Sequence, residues 1–138
     1  VIGNIVGEIT IAASVPDFDL WLQIHDVAPD GSAWNLSAPG TGLLRASYRN
    51  GGPERLLLRE NDVVTLRLDQ MLTANRFLRG HRLRLVLSGA FAPLFSVNPQ
   101  TGAQEFDTDR TRAGELRVQH SSRYPSKLIL PVVPATGD

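Results

Sequence analysis

The chain has 138 residues, 14 basic against 14 acidic side chains, no cysteine, 12 glycines, 9 prolines and 42% hydrophobic residues. That is the size of one domain, since single domains commonly hold about 100–150 residues, and a single domain spanning 1–138 is expected. Zero formal net charge leaves no general basic footprint for nucleic acid or anionic lipid, and the absence of cysteine removes disulfides, thiol catalysis and thiolate metal sites.

Period-two alternation runs along the chain. From Glu8 to Val15 the residues at 9, 11, 13 and 15 are apolar, which reads as a half-buried strand that Pro16 ends. Leu20, Leu22 and Ile24 alternate with Trp21, Gln23 and His25, and Asp30-Gly31 then predicts a tight hairpin turn into a strand over Ala33–Ser37. A short strand fits Leu43–Arg49, closed by Asn50-Gly51-Gly52-Pro53.

Val64, Leu66 and Leu68 mark the next strand. Gln70–Leu78 carries the one hint of helix, of no more than a turn or two because of Thr73 and Asn75. Leu83, Leu85 and Leu87 alternate with Arg82, Arg84, Val86 and Ser88. Gly89–Gly114 has no period, yet Phe91, Phe95 and Phe106 within it predict an ordered loop packed on something. Strands over Leu116–His120 and Lys127–Val132 complete the series. Short strands with frequent Gly and Pro punctuation predict an all-β sandwich or barrel.

Catalytic patterns are missing. No Gly-x-Ser-x-Gly elbow, phosphate-cradling glycine loop or glycosidase-like acid pair occurs. His25, His81 and His120 fall on separate strands or strand ends, and a satisfied structural histidine is the commoner outcome for such residues. Asp17 with Asp19, and Asp107 with Asp109, lack the turn glycine and closing acid of a calcium loop. They are expected to cap turns and to pair with Arg110 or Arg112. No catalytic residue, metal site or cofactor is therefore assigned. No apolar run approaches the roughly 18–20 residues of a membrane span, and Val1–Gly7 does not read as a signal peptide. Neither nucleic acid nor membrane is an expected partner, and a cytoplasmic location is slightly favoured.

Trp21, Trp34 and Tyr48, with Phe91 and Phe95, are the candidates for an interface or a ligand-facing surface. Trp21 falls on the polar phase of its strand, so it is expected exposed or at a contact. The favoured reading is that both tryptophans cover an end of the core or another domain.

Five ordered blocks carry a resemblance. They are Asp19 to Gly31, with Asp26-Val27 and Pro29-Asp30-Gly31; Gly42-Leu43-Leu44-Arg45-Ala46-Ser47-Tyr48-Arg49; Thr73 to Leu85 around Gly80-His81-Arg82; Asn98-Pro99-Gln100-Thr101-Gly102; and Tyr124 to Pro131. Together they resemble the C-terminal domain of X-prolyl dipeptidyl peptidases and cocaine-esterase-like (CocE/NonD) serine hydrolases. The resemblance implies a jelly-roll-like, galactose-binding-domain-like β-sandwich that follows an α/β-hydrolase domain, packs on it, helps wall the substrate cleft and contributes to oligomer contacts. It places the serine nucleophile, acid and histidine in that other domain, so this chain alone is expected to be inactive. The family's sandwich begins with further strands, so this chain reads as a fragment lacking its first strands, which would leave an edge strand unpaired.

Within the matched blocks, Asp19, Asp26, Arg45, Gly80, His81, Arg82 and Asn98 are expected to be structural. Gly80 suits a positive φ before a strand. Arg82 and Arg84 share the polar face, where guanidinium forks can bind carboxylates or carbonyls. His81 is expected buried and hydrogen-bonded, and Asp19 and Asp26 are expected to accept backbone N–H bonds at the two ends of one strand. Two rival readings remain: a free-standing carbohydrate-binding module using Trp21, Trp34 or Tyr48, and a sandwich that serves oligomerisation only.

Overall fold

The two segments that alternate most strictly near the start of the chain become the centres of two antiparallel sheets. The computed structural model describes residues 1–38, 40–104 and 106–134. Its strands are β1 (Ile2–Ala13), β2 (Asp19–Val27), β3 (Ala33–Asn35), β4 (Leu43–Arg45), β5 (Val63–Ala74), β6 (Arg82–Ser88), β7 (Leu116–Gln119) and β8 (Lys127–Ile129). In the first sheet β1 is flanked by β5 on one side and by β7 and β8, placed end to end, on the other. In the second, β2 is flanked by β6 on one side and by β3 and β4, again end to end, on the other.

The sheets stack face to face, as expected for a β-sandwich. Ile5, Ile9, Ile11 and Ala13 from β1 meet Leu20, Leu22 and Ile24 from β2, and Phe18, Leu66, Leu68 and Met71 complete the core. Each such side chain contributes about 1.5–3 kcal/mol when fully buried, and in a chain without cysteine this layer is what holds the sheets together. The Asp30-Gly31 turn forms as expected: the Ala28 N–H donates to Ser32 O, the Gly31 N–H to Ala28 O, and the Asp30 carboxylate accepts the Ser32 N–H.

Residues Gln70–Leu78 correct the helical hint. β5 runs on to Ala74 and pairs with Ile2–Ile5. The alternation is broken because Ile5 faces Met71 while Gly7 faces Leu68, so Val6 stands opposite two residues. This is a β-bulge, and Gln70 takes it up with a φ of 66°. Past the bulge Met71 points into the core and Leu72 points out, which reads as noise to a strict two-residue period. The same pairing starts β1 at Ile2 rather than Glu8.

Other boundaries shift for local reasons. The strand expected over Leu43–Arg49 is only three residues long, because Ala46–Tyr48 closes into a 3-10 turn. The last strand stops at Ile129, two residues before Pro131, which cannot donate to a ladder. Asp107 and Asp109 are exposed, and Arg112, one of their expected partners, donates instead to the Ser14 carbonyl.

Candidate functional site

The long connection between β6 and β7 is held over the outer face of the second sheet, at the end where β2 begins. Asp19 stands opposite Arg45 in the β2–β4 ladder, so their side chains share a face. Arg45 Nε donates to Asp19 Oδ1 at 2.8 Å and Nη2 to Oδ2 at 3.0 Å, a bidentate fork. Asn98 Nδ2 adds a bond to Asp19 Oδ1 at 3.1 Å, and Asn98 Oδ1 accepts the Gln100 N–H at 2.8 Å. One carboxylate thus ties β4 and the long loop to β2.

Asp17 does the same for the β4–β5 connection. It is fully buried; Oδ1 accepts the N–H groups of Phe18 and Ser47 at 3.0 and 2.9 Å, and Oδ2 accepts Ser47 Oγ at 2.9 Å and Arg55 Nη2 at 3.1 Å. Arg55 Nη2 also reaches the Ala103 carbonyl, so the two loops are fastened to each other.

Trp21 lies beneath this cover. It stands opposite Leu43 and Ser88 and faces outward, as its phase requires, but it is only 3% exposed. Phe91 and Phe95 meet its ring edge-on, Phe95 with centroids 6.4 Å apart, and its Nε1 donates to the Thr41 carbonyl at 3.0 Å. Of the two expectations for Trp21, exposure is corrected and a covered contact is found: the loop with no period is what the indole packs against. Tyr48, half-buried, borders an open cavity of about 300 Å³ with Asp19, Leu43, Arg45, Phe95 and Ser96.

The far end of β2 carries a second polar cluster. Asp26 Oδ1 lies 2.8 Å from His81 Nδ1, and Oδ2 accepts Asn75 Nδ2 at 3.1 Å. Gly80, with φ at 86°, turns the chain so that the His81 N–H closes on Leu78 O and the ring reaches Asp26. Burial pushes the Asp26 carboxyl up, but the bonds from Asn75 and His81 outweigh it and hold the group below its ordinary value. Trp34, opposite Asp26, stacks parallel to the His81 ring and remains 54% exposed. Arg82 and Arg84 project exposed from β6.

Among the described residues, Asp19 and Asp26 thus take side-chain donors in place of the backbone N–H bonds expected of them. β2 is central, so its backbone is occupied by ladders on both sides. Its carboxylates are left for groups arriving from neighbouring loops. Asp17 does cap a turn as expected, through the Phe18 and Ser47 N–H groups, but its arginine is Arg55 and not Arg110 or Arg112. Ser47, Arg55 and Asn75 carry no individual signal in the sequence. The structure gathers Asp19, Trp21, Arg45, Tyr48, Phe91, Phe95 and Asn98 at one end of β2 and Asp26, Trp34, Gly80 and His81 at the other.

Among the described residues no group of three or more His, Cys, Asp or Glu side chains is placed to hold a metal ion. What the fastened loops do present is apolar surface. Leu56, Leu57, Leu94, Val97 and Phe106 are all exposed on the two connections that Asp17 and Asp19 tie down.

Residues 1–129 match the X-Pro dipeptidyl-peptidase C-terminal non-catalytic domain. The chain belongs to this family. As a PepX_C domain it is 28% identical over 136 residues to cocaine esterase of Rhodococcus sp. (strain MB1 Bresler), covering 96% of this chain and 23% of that protein. An aminopeptidase from a marine sediment Thaumarchaeota archaeon superposes with a TM-score of 0.81 at 26% identity, over 93% of this chain and 22% of that one. Two more distant structures share the fold. An α-amino acid ester hydrolase gives a TM-score of 0.88 at 23% identity, covering 95% of this chain and 23% of its own. A CocE/NonD family hydrolase from Staphylococcus aureus gives 0.73 at 18% identity, with 96% and 28% covered. This PepX_C chain therefore spans about a quarter of the length of the relatives it matches.

Proposed function

We propose that this PepX_C domain is the non-catalytic part of a larger serine hydrolase acting on esters, amides or X-Pro peptides. It packs on the α/β-hydrolase domain of the same polypeptide and helps wall its substrate cleft. The observation that carries this reading is the match of residues 1–129 to a non-catalytic domain, in a chain that covers 23% of an esterase relative. The structure supports it physically. Two buried carboxylates fix the loops at one end of the sandwich, so that the exposed side chains of Leu56, Leu57, Leu94 and Val97 form apolar surface on loops already fastened. Ordering such a surface before contact lowers the entropic cost of docking.

The carbohydrate reading has less to stand on. Trp21 is covered and faces outward near the start of β2, while Trp34 stands opposite Asp26 near its other end, so the two do not form one stacking platform. Oligomer contacts belong to the same proposal, through whatever apolar surface the hydrolase domain leaves open.

The test is to produce the hydrolase part and this domain as separate polypeptides and titrate one with the other. Saturable association is expected, weakened at least tenfold by the pair L57D and L94D. No association, or association indifferent to both substitutions, overturns the docking surface.

A further inference from the structure

The connection between β4 and β5 carries a chemical feature that the Asp17 anchor does not use. Asn50 follows the Ala46–Tyr48 turn by two residues and leads into Gly51, Gly52 and Pro53. All four are exposed. Among the described residues the Asn50 side-chain amide makes no hydrogen bond. Gly51 has a φ of 73°, and a methyl group on Gly51 or Gly52 would meet nothing within 4 Å. The amide carbon of Asn50 and the backbone nitrogen of Gly51 are therefore neighbours in an uncrowded turn, with no side chain on Gly51 to shield that nitrogen.

That pairing has a definite reaction. The Gly51 nitrogen attacks Asn50 Cγ and closes a five-membered imide; the Cγ–Nδ2 bond breaks, and Nδ2 leaves as ammonia with the Gly51 amide proton. Water then opens the imide. Opening at Cγ leaves aspartate, and opening at the main-chain carbonyl carbon leaves isoaspartate, with the chain now running through the former side chain. One contact opposes the first step: the Gly51 N–H donates to the Tyr48 carbonyl at 2.9 Å. A single exposed turn hydrogen bond slows the attack by about tenfold at most. The other asparagines lack this opening. Asn98 precedes Pro99, whose nitrogen carries no proton, and Asn75 holds its amide on Asp26. Asn35 and Asn61 precede Leu36 and Asp62, whose side chains shield N–H groups already donated to Ile24 O and Arg59 O. Asn4 lies inside β1, opposite Leu72. Asp30-Gly31 has the glycine, but the Asp30 carboxylate is held by the Ser32 N–H and Oγ.

The geometry points to Asn50 as a self-modification site, where the folded domain converts one amide to isoaspartate and aspartate with water as the only co-reactant. Its consequence falls on the loop that Asp17 fastens. Asn50 lies between Ser47 and Arg55, both held by the Asp17 carboxylate, and isoaspartate lengthens the main chain between them by one carbon. Leu56 and Leu57, exposed, follow Arg55 directly. Either product also adds a negative charge to an open cavity of about 430 Å³ that Asn50 lines with Tyr48, Arg49, Arg67 and Asp69.

This inference stands apart from how the domain docks. The experiment is to age the intact parent protein at neutral pH, digest samples at intervals, and score the asparagine peptides by mass and by labelling with an isoaspartyl carboxyl methyltransferase. The Asn50 peptide is expected to gain the mass of an amide-to-acid conversion at least tenfold faster than peptides holding the other five asparagines, with isoaspartate the larger product. Its rate is expected to lie within about tenfold of that in the same protein unfolded in urea. A smaller margin over the other asparagines, aspartate as the sole product, or a folded-state rate further below the unfolded one overturns the proposal. N50Q, which can close only a six-membered ring, is expected to stop the conversion; a peptide that still converts overturns the assignment to Asn50. The isoaspartate form is expected to be cut by trypsin after Arg55 at least fivefold faster than N50D, which carries the charge without the longer main chain. Equal cutting overturns the effect on the Asp17 anchor.

Discussion

Replacing Asp17 by alanine tests whether buried carboxylates set the loop surface. Asp17 is fully buried and accepts four bonds, from the N–H groups of Phe18 and Ser47, from Ser47 Oγ and from Arg55. Removing one partner of a buried ion pair costs about 3–5 kcal/mol, and each buried donor left without an acceptor costs about 1–3 kcal/mol. Partial relaxation of the loop lets some donors reach water, so D17A is expected to lose about 3–5 kcal/mol, a large share of the roughly 5–15 kcal/mol available to a domain. R55L alone leaves Asp17 three donors and is expected to cost about 1.5–3 kcal/mol, the worth of a charged hydrogen bond. In the D17A background the same R55L change removes a stranded cation, part of which (Nε) already lacks a partner, and is expected to cost almost nothing. Urea unfolding of the four proteins of the cycle measures this directly, with an expected coupling of about 2 kcal/mol. Additive losses, or a D17A loss under about 1 kcal/mol, would refute the reasoning.

Trp21 and Trp34 are expected to separate sharply in the same assay: W21A should cost about 3–5 kcal/mol, and W34A, on a ring 54% exposed, less than about 1 kcal/mol. Equal losses would show that the Phe91 and Phe95 cover does not bury the indole. Acid stability follows from four carboxyls held below their ordinary values. The Lys127 bond lowers Glu8 and the Arg117 bond lowers Glu115, from 4.5, and Ser32 lowers Asp30 from 3.8. Asp26, raised by burial but lowered further by Asn75 and His81, also ends below 3.8. Groups with depressed folded values contribute stability that is complete above their unfolded values and is lost as pH falls through the folded ones. The urea midpoint should therefore hold from pH 7 to about 5.5 and drop progressively below about 4.5; a midpoint at pH 3 equal to that at pH 7 would contradict this.

The sandwich was legible because β1, β2 and β5 each turn one apolar face into the core, and alternation records that directly. The bulge opposite Val6 was not, since nothing local to Gln70-Met71-Leu72 says that one residue of a distant strand will face two. The same limit explains Trp21. Its phase was read correctly as outward, but an outward face can be covered, and the cover comes from Phe91 and Phe95 about 70 residues away. The polar cluster at the start of β2 was half visible. Asp19, Arg45 and Asn98 stood out as members of ordered blocks; Ser47, in the same block as Arg45, and Arg55, outside the blocks, matter because a buried Asp17 collects them.

On the proposed reading, hydrolytic chemistry resides outside this domain. The most direct measurement is to inactivate the parent protein with a fluorophosphonate that labels activated serines and to map the adduct by peptide mass spectrometry. The label is predicted to fall entirely outside these residues. A stoichiometric adduct on any serine of this chain, matched to the loss of activity, would contradict the claim.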